Sequence, residues 1–322
     1  MGNKEVMRKP NIATFYRPEM VYSGGLTDES KSPQKPKLLL EYLEYKGLGK
    51  HFVRHGDFPN FSNEDFLIAH TRDYVEGFFA GRKPYCDCHG VLGIDWTPEF
   101  ATTVRYTNAS LYYAIKHSLN DPKTVAFSPT SGFHHATPKS GALFCAFSGQ
   151  VIASVRLYRE SGVSGAYIDL DGHFGNSIED SRDFVPELNV AVPPGWNINL
   201  KSHHEEYLEN LKILLGLLKQ EILGKRLHYL VFCHGADSHE DDDLGEQLTT
   251  KEWVECSRIF YEWVERIETE TQRSIPLTVC LFGGYRSDDF NSVLSLHTAD
   301  LVACLNILCK HRIDYKLEMH SR

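Results

Sequence analysis

The chain has 322 residues, 42% hydrophobic and 24% charged, a composition of folded globular proteins and not of disordered or fibrous ones. Its formal net charge of −9 is the wrong sign for nucleic-acid binding by counterion release, which needs a basic face. Apolar runs fall short of the about 20 residues of a membrane span, the start MGNKEVMRKP has no signal-peptide core, and eight cysteines are sparse for a disulfide scaffold.

In chain order, residues 1–10 read as a ragged terminus and 24–36 (GGLTDESKSPQKP) as a loop. No repeat and no shift of composition divides the rest, so a single domain over 11–322 is expected, in the reducing cytoplasm. Ser62 with Asp65 forms a capping box that opens a helix at FSNEDFLIAH. CDCH at 86–89 places two cysteines one residue apart without the usual partners of a zinc site, and reads as a surface loop. Thr97-Pro98 puts proline at a first helical position before a run to about His117. Ser202 with Glu205 and Thr249 with Glu252 repeat the box ahead of amphipathic stretches 203–222 and 250–268.

Between these helices lie short apolar runs: Thr124–Phe127, Ala166–Leu170, Leu188–Val192, Tyr229–Cys233 and Leu277–Phe282. Apolar on both parities, they read as strands buried on both faces. Strands alternating with helices imply an α/β fold around a mostly parallel sheet, with the site beyond the carboxyl ends of the strands. Nearly every run leads into chemically useful residues. His134 and His135 follow the first; Asp169, Asp171, His173 and Asn176 end or follow the second. Asp237, His239 and Asp242 follow Tyr229–Cys233, and Tyr285 follows Leu277–Phe282.

Asp171-Gly-His173 is the sharpest local element, because residues i and i+2 of an extended backbone point to the same side and can grip one ion. A carboxylate from the loop after Tyr229–Cys233 would be the third ligand, leaving an open position of the kind zinc uses. Taken alone, D-x-H at a strand end is more often a solvated turn. The pairs His134-His135 and His203-His204 are, alone, incidental.

The combination is more specific. In order it runs His-His, then D-x-D-x-H, then G-A-D-S-x-x-x-D-x-L-G, then G-G-Y. It resembles the histone deacetylase and acetylpolyamine amidohydrolase superfamily, the arginase/deacetylase fold, over most of the chain from Ser62 onward. The resemblance implies a single-domain three-layer α/β sandwich and a zinc-dependent amidohydrolase with one Zn2+ per chain, held by Asp171, His173 and Asp242. Asp242 is picked from HEDDD because the family's ligand stands seven residues after the glycine of G-A-D, here Gly235; Asp241 and Asp243 read as a solvated turn and Asp237 as structural. It further implies His135 as general base, oriented by Asn176, and His134 as its electrostatic partner, backed by Asp169. Asn176 stands nearer the class II branch and its bacterial members, where the second position is an amide. Tyr285 would donate to the developing oxyanion, Phe144 would form one wall of the acyl tunnel, and Asp95 would be the rim carboxylate.

The sequence departs from the family at several points. Phe174 replaces a second histidine. The stretch 177–188 is much shorter than in relatives, where it carries potassium-site groups and a second tunnel aromatic, so the chain departs from the family at both the K+ site near Asp169 and Asp171 and the two-aromatic tunnel. Leu143 and Phe282 replace glycines. The expected substrate is an acylated amine, acyl-lysine or acyl-polyamine, and the acyl group acetyl. The alternative is a non-catalytic metal-binding or protein-interaction relative that lost substrate binding through the short loop. An arginase-like dimanganese site ranks lower still, because Gly175 stands where a D-x-H-x-D pattern needs its second aspartate.

Overall fold

Among the described residues seven short strands lie side by side: β1 (Ile12–Phe15), β2 (Phe52–His55), β3 (Ala126–Ser128), β4 (Gly165–Asp169), β5 (Asn197–Asn199), β6 (Tyr229–Cys233) and β7 (Leu277–Cys280). The computed structural model describes residues 8–22, 24, 31–86, 93–245 and 247–320. The strands pair in parallel throughout, in the order β2-β1-β3-β7-β6-β4-β5. The inner strands β3, β7, β6 and β4 are buried along their whole length, as their uninterrupted apolar sequences require. The register matters for function. Ser128 pairs with Cys280, Cys280 with Cys233, and Cys233 with Asp169, so the last residues of four strands stand in one line. The loops that follow them are therefore neighbours, however far apart they are in sequence.

Helices flank this sheet, giving the expected α/β sandwich. On one side α4 (Pro98–Asn120) packs against α5 (Gly149–Ser161); elsewhere α9 (Thr250–Thr271) packs between α8 (His204–Leu223) and α10 (Phe290–Ile307), and α1 (Lys35–Tyr45) lies on α10. Short helices α2 (Asn63–Phe66), α3 (Arg72–Phe79), α6 (Ser177–Asp180) and α7 (Leu188–Ala191) fill the connections. The caps work as their sequences say. Thr97 Oγ1 accepts from Phe100 N at 3.0 Å with Pro98 at the first position, and Thr249 and Glu252 make the reciprocal box that starts α9. Asp65 Oδ2 accepts from both Ser62 N and Ser62 Oγ. The box at Ser202 does not form. His203 is the residue before α8, and Ser202 Oγ instead accepts from Asn210 Nδ2 at 3.1 Å.

One expected strand is a helical turn. Leu188–Ala191 is α7, with Leu188, Ala191 and Val192 buried while Asn189 and Val190 face outward. That spacing is helical, and the prolines at 186, 193 and 194 confine it to one turn. The strand of this region is β5, after the Pro-Pro-Gly turn. Three strands had no clear sequence signal. The edge strands β2 and β5 are only partly buried, so they never present a continuous apolar run; β1 is buried but only four residues long.

Within the stretch expected to be ragged, residues 1–7 lie outside the described part, whereas Arg8 is buried and its Nη2 donates to Glu268 Oε1 at 2.5 Å. Of CDCH at 86–89, Cys86 is described and half-buried, and 87–89 lie outside the described residues. The described cysteines are free thiols. No described helix is long and apolar enough to cross a membrane.

Candidate active site

Four loops meet beyond the carboxyl edge of β3, β4, β6 and β7. The loop after β3 turns at Gly132, which has φ +85° and where a Cβ would lie 2.9 Å from the Phe144 carbonyl oxygen. Only glycine fits there, and the turn delivers His134 and His135 with both side chains buried. Their rings sit 4.1 Å apart, centroid to centroid.

The two histidines are backed differently. His134 Nδ1 stands 3.0 Å from Asp169 Oδ2, and its Nε2 3.6 Å from Asp171 Oδ1. Burial opposes a charge on this ring, but Asp171 and Asp169 outweigh it and raise its pKa to about 9. His135 Nδ1 stands 3.1 Å from Asn176 Oδ1, while Asn176 Nδ2 donates to the Asp180 carboxylate. The Asp180 carboxylate takes the Asn176 NH2 and turns the amide oxygen toward His135. Nδ1 of His135 therefore carries the proton and Nε2 keeps a free lone pair. Burial, then the neighbouring His134, lower the His135 pKa to about 4. The carboxylate behind His134 thus favours its charged form, and the amide behind His135 leaves that ring its neutral form.

Beside them Asp171, His173 and Asp237 offer ligand atoms that all lie within 4.8 Å of one another. His173 Nδ1 is 3.1 Å from Asp171 Oδ1 and 2.9 Å from Asp237 Oδ2. Asp171 Oδ2 accepts from Gly283 N at 2.8 Å. Burial works against ionisation of Asp171, yet His134 and the hydrogen bond from His173 hold it well below the usual carboxylate range. Burial and the charge of Asp171 push Asp237 up to about 8. Asp237 Oδ1 is buried with no hydrogen-bond partner. The cradle around it is built of glycine: a Cβ on Gly235 or on Gly283 would come within 2.2 Å of the Asp237 carboxylate. Two facing carboxylates, one of them with an orphaned buried oxygen, and one imidazole are a donor set that fits a divalent cation.

Asp242, the expected third ligand, lies outside that triplet. It is buried, Oδ2 accepts from Tyr285 N at 2.7 Å and Oδ1 from Leu244 N at 3.0 Å. The carboxylate found near Asp171 and His173 is that of Asp237, read from the sequence as structural. Its signal was present in the sequence: an acidic residue four positions past the end of an apolar strand.

Tyr285 follows Gly283-Gly284 after β7. Its ring lies 6.2 Å from that of His173 and 5.5 Å from Phe144. Burial, followed by Asp171 and Asp237, raises its pKa well above the ordinary phenol value, so the hydroxyl stays a donor. Phe144 adopts φ +67° and stays partly exposed. Its ring lies 2.9 Å from where a Cβ of Gly93 would be; Asp95, two residues on, is exposed. A cleft of about 800 Å³, open mouth included, runs from Phe144 and Tyr285 past Phe133 to Phe100, Thr103 and Asn108 of α4. It adjoins the candidate centre on the Tyr285 side and does not include the carboxylates.

Lys35 escaped the sequence reading. It opens α1, is wholly buried, and its Nζ donates to the Phe282 carbonyl, 5.8 Å from the Tyr285 ring centre. Burial lowers its pKa to about 8 against the pull of Asp237, Asp171 and Asp242. A lysine in a loop-like KSPQKPK stretch gives no sequence sign of burial.

The family model for the histone deacetylase domain matches residues 29–191. That span contains Asp95, His134, His135, Phe144, Asp169, Asp171, His173 and Asn176, while Asp242 and Tyr285 lie beyond it. A curated relative from Methanothermobacter thermautotrophicus, described as a probable deacetylase, is 27% identical over 284 aligned residues, covering 78% of this chain and 79% of the relative. With half of the sequence matched, on the segment that carries both histidines and the D-x-H element, the chain belongs to the histone deacetylase domain family.

Proposed function

We propose that this protein is a zinc-dependent deacylase that hydrolyses an acylated amine, acyl-lysine or acyl-polyamine, with acetyl as the acyl group, and that residues 11–322 form its single catalytic domain. The family and the deacetylase description of the relative support the reaction type. The observation that carries the reading is geometric: two adjacent histidines, one backed by the Asp169 carboxylate and the other by the Asn176 amide, stand beside a cluster fit for a cation.

Asp171 and His173 hold the ion, joined by a carboxylate from the loop after β6. The resemblance assigns that third place to Asp242; proximity favours Asp237. The donor types, oxygen and nitrogen with one open position, suit Zn2+, one per chain. When bound, such an ion polarises an amide carbonyl and lowers the pKa of water beside it. His135 Nε2, with its lone pair fixed by Asn176, accepts the proton of the attacking water and returns one to the leaving amine. His134, charged and paired to Asp169, stabilises negative charge as it builds. The Tyr285 hydroxyl donates to the carbonyl oxygen as that oxygen gains charge. Phe144 flanks the acyl-amine chain, Asp95 stands toward the rim, and the cleft beyond Tyr285 has room for the acyl group. The free thiols fit a reducing cytoplasm.

The test offers zinc-loaded protein a panel of acylated lysine peptides and acylated polyamines. Release of acetate with one zinc per chain is expected. Bound zinc without turnover on any of them would overturn the reading in favour of a non-catalytic relative. Metal analysis of Asp237→Asn and Asp242→Asn decides the third ligand, since the variant of the true ligand loses zinc.

A further inference from the structure

The acidic run Asp241-Asp242-Asp243 has the composition of a solvated turn, yet each of its members grips one residue of the loop after β7. Asp242 Oδ2 accepts from Tyr285 N at 2.7 Å. Asp241 Oδ2 accepts from Arg286 Nη1 at 3.3 Å. Asp243 Oδ2 accepts from Ser287 N at 2.8 Å and from Ser287 Oγ at 2.7 Å. Three consecutive carboxylates thus bind three consecutive residues, with Tyr285 the first of them.

Arg286 extends the clamp. Its side chain is 3% exposed, and it makes contacts within its own loop and with one further segment. Nε donates to Asp288 Oδ1 at 3.0 Å, and Nη2 to the His320 carbonyl at 2.7 Å, near the chain end. That last segment is an extended strap that turns Ile313, Tyr315, Leu317 and Met319 inward against the core. It is tied down again where Glu318 N donates to Ser295 Oγ at 2.8 Å.

The need for such a clamp follows from what precedes Tyr285. Gly283 and Gly284 are required there, the first because a Cβ would strike the Asp237 carboxylate and the second because its φ is +139°. Gly283 is pinned, its N donating to Asp171 Oδ2 at 2.8 Å and its carbonyl accepting from Ala236 N at 3.0 Å, but Gly284 is a permissive joint between that anchor and the phenol. Residues 285–287 supply the restraint on the far side of the joint.

We propose that Asp241, Asp243 and Arg286 are positioning residues, which with Asp242 hold Tyr285 where its hydroxyl meets the substrate carbonyl. The inference rests on the reading of Tyr285 as the hydrogen-bond donor. Asp243 and Ser287 are surface residues, so Asp243→Ala spares the core. Steady-state kinetics and metal content are measured for Asp243→Ala, Arg286→Met and Arg286→Lys, and for Asp243→Ala combined with Tyr285→Phe. Asp243→Ala is expected to lower kcat about tenfold with KM and zinc content unchanged. Arg286→Met loses more, and Arg286→Lys, which keeps the charge, recovers part. In the Tyr285→Phe background, Asp243→Ala changes kcat by less than about twofold, because the hydroxyl it positions is gone. An unchanged kcat in the parent background, or the same loss in both backgrounds, overturns the clamp alone. If Tyr285→Phe itself turns over like the parent, the reading of Tyr285 falls and takes the purpose of the clamp with it.

Discussion

Tyr285 and His135 are both defined by what lies behind them. The Tyr285 amide is anchored on Asp242, its ring faces Phe144, and its phenol is kept protonated. In the proposed reaction, replacing it by phenylalanine removes one donor to the developing charge while leaving the carboxylates untouched. Tyr285→Phe should therefore keep its zinc and lose about 10²–10³ in kcat, measured with the best substrate of the panel. His135 is oriented by an amide where a carboxylate would also fit. A negative charge at that place favours the imidazolium and raises the pKa of the ring from its present value of about 4. Asn176→Asp should then move the acid limb of the kcat/KM profile to higher pH, since a protonated base is an inactive one. A limb that stays in place would remove His135 from the role of base. The residue types were legible in the sequence because the D-x-H spacing and the His pair are local. The cluster around Asp237 was not, because its members come from the loops after β4, β6 and β7.

At the scale of elements, the long loop between His135 and α5 is held by His70, just before α3. His70 Nδ1 lies 2.9 Å from the Thr137 carbonyl oxygen, and Nε2 accepts from Ser148 N at 2.9 Å. An amide N–H can only donate, so Nε2 is bare and the ring neutral. Burial, above all, lowers the pKa of His70 to about 3. Between that value and about 6.5 the unfolded chain binds a proton that the folded chain refuses. Stability is therefore lost as pH falls through this window, by up to about 1.4 kcal/mol per pH unit from this one group. Urea unfolding of both proteins between pH 7 and 5 should show His70→Gln less stable at pH 7 but losing less stability with falling pH than the parent, by up to that contribution. Equal slopes would mean His70 is not the titrating group. Capping boxes at Ser62 and Thr249 could be read directly, since a cap is a contact between residues three apart. Leu188–Val192 could not, because a five-residue apolar run fits a strand and a helical turn alike until its flanking prolines and packing partners are known.

For the whole molecule, the register that aligns the ends of β3, β7, β6 and β4 must be held against shear. One restraint spans the ends of the chain's first and last strands. Arg8, just before β1, places its guanidinium on Glu268 of α9 at 2.5 Å and on the Ile275 carbonyl at 2.6 Å, two residues before β7. Both side chains are buried, and Glu268 also accepts from Ile275 N at 2.7 Å. Burial already raises the Glu268 pKa, with Arg8 pulling it back. Arg8→Ala strands that carboxylate and should cost about 3–5 kcal/mol in unfolding free energy. Denaturation of the two proteins side by side at pH 7 checks the figure, and a loss below about 1 kcal/mol would show the pair to be worth no more than a surface one.

The alternation of buried strands with capped helices and the four chemistry-bearing loops follow from local spacing, since strands buried on both faces and helices with caps leave their mark within a few residues; the roles of the residues on those loops come only from the order of the motifs and the family it resembles. The strand order, the alignment of Asp169, Cys233, Cys280 and Ser128, and the company of Asp237 do not follow from local spacing. They depend on which distant segments pair across the sheet. Burial of Lys35 beneath Phe282 and the grip of Asp241–Asp243 on the Tyr285 loop belong to the same class. An isolated lysine or an acidic run has the same sequence in water as in a core, and only the surrounding chain sets its dielectric and its partners.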